Sequence, residues 1–85
     1  MDIVIASAGN TLAPALACLT SMGYRVSRIG ASDSTYQAER EGCRLIGKDT
    51  LELLGLAALF NQRGIGWMPS DAEVQALLKL EDSDA

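Results

Sequence analysis

Few residues in this 85-residue chain have both the type and the spacing to do chemistry, and the first group is Ser7-Ala8-Gly9-Asn10. They join a predicted strand to a predicted helix, where many α/β proteins hold a phosphate on helix N-terminal amides. A dinucleotide fingerprint would need G-x-G-x-x-G, and a P-loop would need G-x-x-x-x-G-K followed by Ser or Thr. This turn has one glycine and no lysine, and no acidic residue is placed to hold a ribose. It reads first as a tight connection that needs small residues for clearance. An anion or small-ligand site is the alternative.

Nucleophilic catalysis has nothing to work with. The chain has no histidine, so no Ser-His or Cys-His pair can activate Ser7, Cys18 or Cys43. Cys18 falls inside the first helix beside Leu19 and is expected to pack. Cys43 opens a strand, with Arg40 and Arg44 close by in sequence, and is read as an inert strand cysteine. Two cysteines far apart, with no histidine, do not make a zinc site. Acid–base work would need two carboxylates converging in a cleft; Glu39 and Glu41 instead lie in and beside a hairpin turn. The expectation is no enzyme, no cofactor and no metal.

Two surface features carry more information. Seven basic residues against eleven acidic ones give a net charge of −4, which argues against a duplex nucleic-acid binder. Arg25, Arg28, Arg40, Arg44 and Lys48 all come from strands or their ends, whereas Asp71, Glu73, Glu81, Asp82 and Asp84 lie in the last helix and tail. The chain is polarised. The second feature is Ile65-Gly66-Trp67-Met68-Pro69, which holds the only tryptophan. Trp67 is read first as a plug that closes the core between the last two helices. As an alternative, Trp67 and Met68 are residue types that interfaces favour.

These residues must be positioned by a short series of elements. Ile3-Val4-Ile5-Ala6 is an unbroken apolar run, the pattern of a strand covered on both faces. In the helix that follows, Leu12, Leu16 and Leu19, with Ala15 and Met22, make one apolar stripe; Asn10 or Thr11 caps it, Pro14 sits in its first turn and Gly23 stops it. Tyr24 to Ile29 reads as a second strand, with Tyr24 and Val26 on one face and Arg25 and Ser27 on the other. Gly30-Ala31-Ser32-Asp33-Ser34 is a turn cluster.

Two further strands flank Glu41-Gly42. A two-residue loop there sets Ala38 opposite Leu45 and Glu39 opposite Arg44, apolar against apolar and charge against opposite charge. Asp49 with Glu52 resembles a capping box for a helix that is apolar almost all round, with Glu52, Gly55, Leu59 and Gln62 as its exposed side and Gly64 as its end. Ser70 with Glu73 is a better capping box, and Val74, Leu77 and Leu78 give the last helix a narrow apolar stripe.

The predicted architecture is α+β, a small single-sheet sandwich of order β-α-β-β-β-α-α. A mixed four-stranded sheet packs with helices in one domain over residues 1–80, followed by an acidic flexible tail at 81–85. The first strand should pair in parallel with the second through a right-handed βαβ unit. The expected core includes Ile3, Ile5, Leu12, Leu16, Leu19, Val26, Leu45, Leu54, Ala57, Phe60, Val74 and Leu77. The simplest strand order leaves the apolar first strand at an edge, so it should be shielded by a helix or pair with a second copy, giving a homodimer.

Neither a long apolar span nor a signal-peptide pattern is visible, and two cysteines suit a reduced compartment; a cytoplasmic protein with no membrane contact is expected. The chain resembles small stand-alone bacterial α+β proteins in size and acidity, not in any motif. By elimination, the expected function is a non-enzymatic binding protein that blocks or accompanies a protein partner. An immunity protein or antitoxin inhibiting a basic toxin domain is the foremost form. Its partner-binding residues would be Trp67, Met68, Asp71 and Glu73, with Arg25 and Arg44 on the strand face as the other candidates. A regulatory module binding a ligand at Ser7–Asn10, or a structural subunit of a larger assembly, are the alternatives.

Overall fold

Cross-strand pairing between short alternating segments builds the sheet. In the computed structural model, which describes residues 2–30 and 34–82, β1 (Arg25–Ile29), β2 (Thr35–Arg40) and β3 (Cys43–Gly47) form an antiparallel meander in the order β1-β2-β3. Glu41-Gly42 makes the two-residue turn, with Gly42 in the left-handed region at φ 77°. The register sets Ala38 against Leu45 and Glu39 against Arg44, as the pairing argument requires.

Alternation then sorts the two faces. Val26, Ala38 and Leu45 form one row across the three strands, and Arg25, Glu39 and Arg44 form a row on the other face. On that open face Arg44 Nε donates to Gln37 Oε1 at 2.8 Å, and Gln37 Nε2 donates to Glu39 Oε1 at 3.0 Å.

Two helices cover the apolar face. α1 (Leu12–Ser21) follows a single 3₁₀ turn at Gly9–Thr11, and α2 (Thr50–Arg63) starts at Asp49, whose side chain accepts from the Glu52 amide. Glu52 reaches back one residue further than a capping box, accepting from the Lys48 amide at 2.9 Å. Thr50 Oγ1 donates to the Leu12 carbonyl at 2.6 Å and ties the two helix starts together. The core is Leu19, Tyr24, Ala38, Leu53 and Ala57, with Met22, Val26, Leu45 and Leu54 half-buried around it. Glu52, Gly55, Leu59 and Gln62 face outward on α2, the side the sequence pointed to.

Two expectations are corrected. Among the described residues the sheet has three antiparallel strands, not four mixed ones, because Ile3–Ala6 joins no ladder there. Ile3, Val4 and Ile5 remain 82–88% exposed. The physical reason is visible in the sheet itself: one of its faces is polar and uncovered, so it suits alternating strands and would leave one side of an all-apolar strand unburied. Leu12 and Leu16 are exposed as well, and Ala15 and Leu19 carry the contact of α1 instead.

The second correction concerns α3 (Asp71–Glu81). Val74 and Leu77 were expected in the core, yet no residue of this helix is buried. Its capping box forms fully, so the helix is specified locally without being packed. The turn cluster at 30–34 and the tail at 81–85 fall partly outside the described residues.

Candidate binding surfaces

The end of α2 positions the residues of greatest interest. Gly64, at φ 63°, stops the helix, and a 3₁₀ turn at Gly64–Gly66 leads to Trp67 and Met68. Arg63, in the last turn of α2, holds the next helix by a fork: Nη1 donates to Glu73 Oε2 at 2.6 Å and Nη2 to Glu73 Oε1 at 3.0 Å. The same Nη2 donates to the Met68 carbonyl at 3.3 Å. Glu73 in turn accepts from the Ser70 amide at 2.8 Å, closing the capping box. The Arg63 guanidinium, followed by the Ser70 amide, holds the Glu73 carboxyl at a pKa of about 2. Glu73, expected at a partner surface, is thus committed to fixing the Trp67 loop against α3. Nothing in the sequence pattern marked Arg63 for this role.

Trp67 is not a plug. It is 48% exposed, and with Ile65 it forms the far wall of a groove of about 370 Å³. Leu56, Leu59 and Phe60 of α2 form the floor, and Gly42 to Ile46 form the near wall. Successive strand side chains point to opposite faces. A wall made of five consecutive residues therefore means that the groove follows the backbone edge of β3. Arg44 and Trp67, read separately from the sequence, meet here. Met68 and Asp71 are exposed beyond the groove, and Arg25 lies on the open sheet face away from it.

α3 presents a second surface. Val74, Leu77, Leu78 and Leu80 are all exposed on a helix whose first turn carries Asp71 and Glu73. A compact monomer of 9.0 kDa exposes about 4,900 Å², whereas this chain exposes 6727 Å². Its radius of gyration, 15.0 Å, likewise exceeds the roughly 12 Å of a compact domain of this length.

The chemical candidates are placed as follows. Ser7, Ala8, Gly9 and Asn10 are exposed, and the Thr11 hydroxyl donates to the Ala8 carbonyl at 2.6 Å, a local turn contact. Cys18, expected to pack, is exposed on α1. Cys43 is half-buried, its sulfur 3.8 Å from the Tyr24 hydroxyl. Burial is the main cause that pushes the Tyr24 phenol above its ordinary pKa, and the Cys43 contact adds to it. Arg40, stacked 4.5 Å from the ring centroid, acts in the opposite direction.

Among the described residues no three metal-ligating side chains cluster, and no helix is long and apolar enough to cross a membrane. No protein-family model matches the chain, and no curated protein or solved structure matches it either.

Proposed function

We propose that this chain is a non-enzymatic binding protein that blocks or accompanies one protein partner, in the manner of an immunity protein or antitoxin. One observation carries the reading: α3 stands with its apolar stripe open while its ends are capped and its base is clamped by Arg63. An amphipathic helix held in shape but unpacked is preorganised to lie in a partner's groove, with anchors at i, i+3 and i+4. Val74, Leu77 and Leu78 have that spacing. Asp71 and Glu81 on the same helix and Asp82 at its C-cap, with the net charge of −4, favour a basic partner and speed its approach. Trp67 and Met68 sit at the helix base, where an aromatic anchor adds binding area.

The test is affinity capture from native host cells with the full chain, identifying what is retained. Leu77→Glu with Leu78→Glu should abolish retention while leaving the circular dichroism spectrum intact, because neither side chain is buried. Retention unchanged by the double variant would refute the role of α3. Reversing Asp71 to Lys should mainly slow association, more at low salt.

A further inference from the structure

The edge of β3 and the segment Asp2–Ala6 are each incomplete, and each supplies what the other lacks. We propose that the β3 groove is a strand-acceptor site and that its occupant is the Ile3–Ile5 segment of a second copy of this chain, exchanged reciprocally in a homodimer.

The acceptor side is defined by geometry. Among the described residues β3 is an outer strand, so one row of its backbone N–H and C=O groups has no ladder partner there. The groove runs along that row, and its floor of Leu56, Leu59 and Phe60 is apolar. Among the described residues along it, Arg44 is the one charged residue, and its side chain turns to Gln37 on the open face of the sheet. An added strand would find backbone partners at the edge and an apolar floor on one side, the two requirements of strand addition.

The donor side is defined by sequence. Three consecutive β-branched residues favour extended backbone, and Ile3, Val4 and Ile5 expose 82–88% of their surface. Five residues, Asp2 to Ala6, match the five of β3 in length, about 17 Å at 3.3 Å per residue. Alternation sends Ile3 and Ile5 together to one side and Val4 to the other. The floor receives the two isoleucines. Val4 then meets Ile46, which is half exposed on the open face of the sheet.

The opposite edge is a poorer acceptor. β1 carries Arg25 and Arg28, and the recess at its start is lined by Arg25, Glu39, Arg40 and Glu41. Reciprocal exchange also accounts for part of the surplus of exposed surface: a standard interface removes roughly 800 Å² from each partner, against a surplus of about 1,800 Å² per chain. The β3 groove and the α3 stripe share only Trp67, and the strand-acceptor site does not use Val74, Leu77 or Leu78.

The molar mass of the full chain in solution, measured by light scattering, and amide hydrogen exchange at Ile3–Ile5 test it together. The expected result is a species of about 18 kDa, twice the 9.0 kDa of one chain, with slow exchange at Ile3–Ile5. Ile3→Asp with Ile5→Asp should give a folded monomer with fast exchange there, since both side chains are more than four-fifths exposed in one copy. Ile65→Asp, at a wall residue 93% exposed, should weaken the dimer at least tenfold. A monomer throughout would overturn the proposal, and so would protection of Ile3–Ile5 within a monomer. A dimer that survives Ile3→Asp with Ile5→Asp would place the contact elsewhere, and one indifferent to Ile65→Asp would place it at the β1 edge. Leu77→Glu with Leu78→Glu should leave the dimer intact, so failure of one reading is distinguishable from failure of the other.

Discussion

Leu53→Ala should be close to the limit of what this domain tolerates, whereas Leu77→Ala should be nearly silent. Both are helical leucines, and the sequence pattern places Leu77 in the expected core and leaves Leu53 out of it. Leu53 is fully buried against Leu19 and Ala57, whereas Leu77 is 53% exposed on α3. Removing a buried leucine side chain loses about 0.8 kcal/mol per methylene and adds a cavity term, for roughly 3 kcal/mol within the usual range of about 2–5. A chain of 85 residues has a total stability of about 4–13 kcal/mol, and a core of this size belongs at the low end. A midpoint shift of roughly 4–8 °C per kcal/mol then lowers the melting temperature by about 12–24 °C. Leu77→Ala should fall within about 0.5 kcal/mol of the parent, as surface substitutions do. Urea unfolding followed by circular dichroism measures both. Equal losses for the two variants would mean that α3 packs into the core, and the open-stripe argument would fail with it.

Three further outcomes follow from the same geometry. Glu73, held at about 2 against an ordinary 4.5, contributes stability that is present above pH 4.5 and lost as the pH falls through about 2; NMR shifts should show α3 uncoupling from the Trp67 loop over that window, and Glu73→Gln should remove the pH dependence. Tyr24 has a raised phenol pKa, chiefly from burial, so its stabilisation holds below pH 10 and is lost as the pH rises through the folded value. Alkaline absorbance titration of Tyr36→Phe should show the remaining tyrosine ionising later than a free one, and an ordinary titration would contradict the burial. Gly42→Ala meets no neighbouring atom but must adopt φ 77°, so denaturation should show a loss of about 1–2 kcal/mol from backbone strain alone.

What the sequence made legible was local. The Glu41-Gly42 turn and the Ala38–Leu45 and Glu39–Arg44 pairs specify a register within ten residues of chain, and loop length decides it. Asp49 and Ser70 announce helix starts, since a cap is read from two or three neighbouring positions. Partners distant in sequence were not legible. Ile3–Ile5 says that both faces want cover, but no residue says what covers them. Leu12 and Leu16 share a stripe with Ala15 and Leu19, and only the placement of α2 and β1 decides which of the four is buried. The Arg63–Glu73 fork was hidden for the same reason: its two halves lie in separate helices, joined by a loop whose path no propensity fixes.

The elements that sequence reasoning misplaced are those that the single chain leaves unpacked. Ile3, Ile5, Val74 and Leu77 were assigned to a core because apolar patterning reports a demand for burial, and it is silent about which chain meets that demand. Five side chains in one contiguous cluster make a small core for a domain of this size, and small domains commonly need association to gain further burial. The open surfaces here differ in geometry. An exposed β-branched segment and a strand-edge groove in the same chain suit pairing between identical chains, because one chain offers both donor and acceptor. A helix with acidic residues around an open apolar stripe suits a basic partner instead, as proposed above. Patterning that fails as a prediction of the monomer core can thus be correct as a statement about interfaces, and the two failures point to two distinct ones.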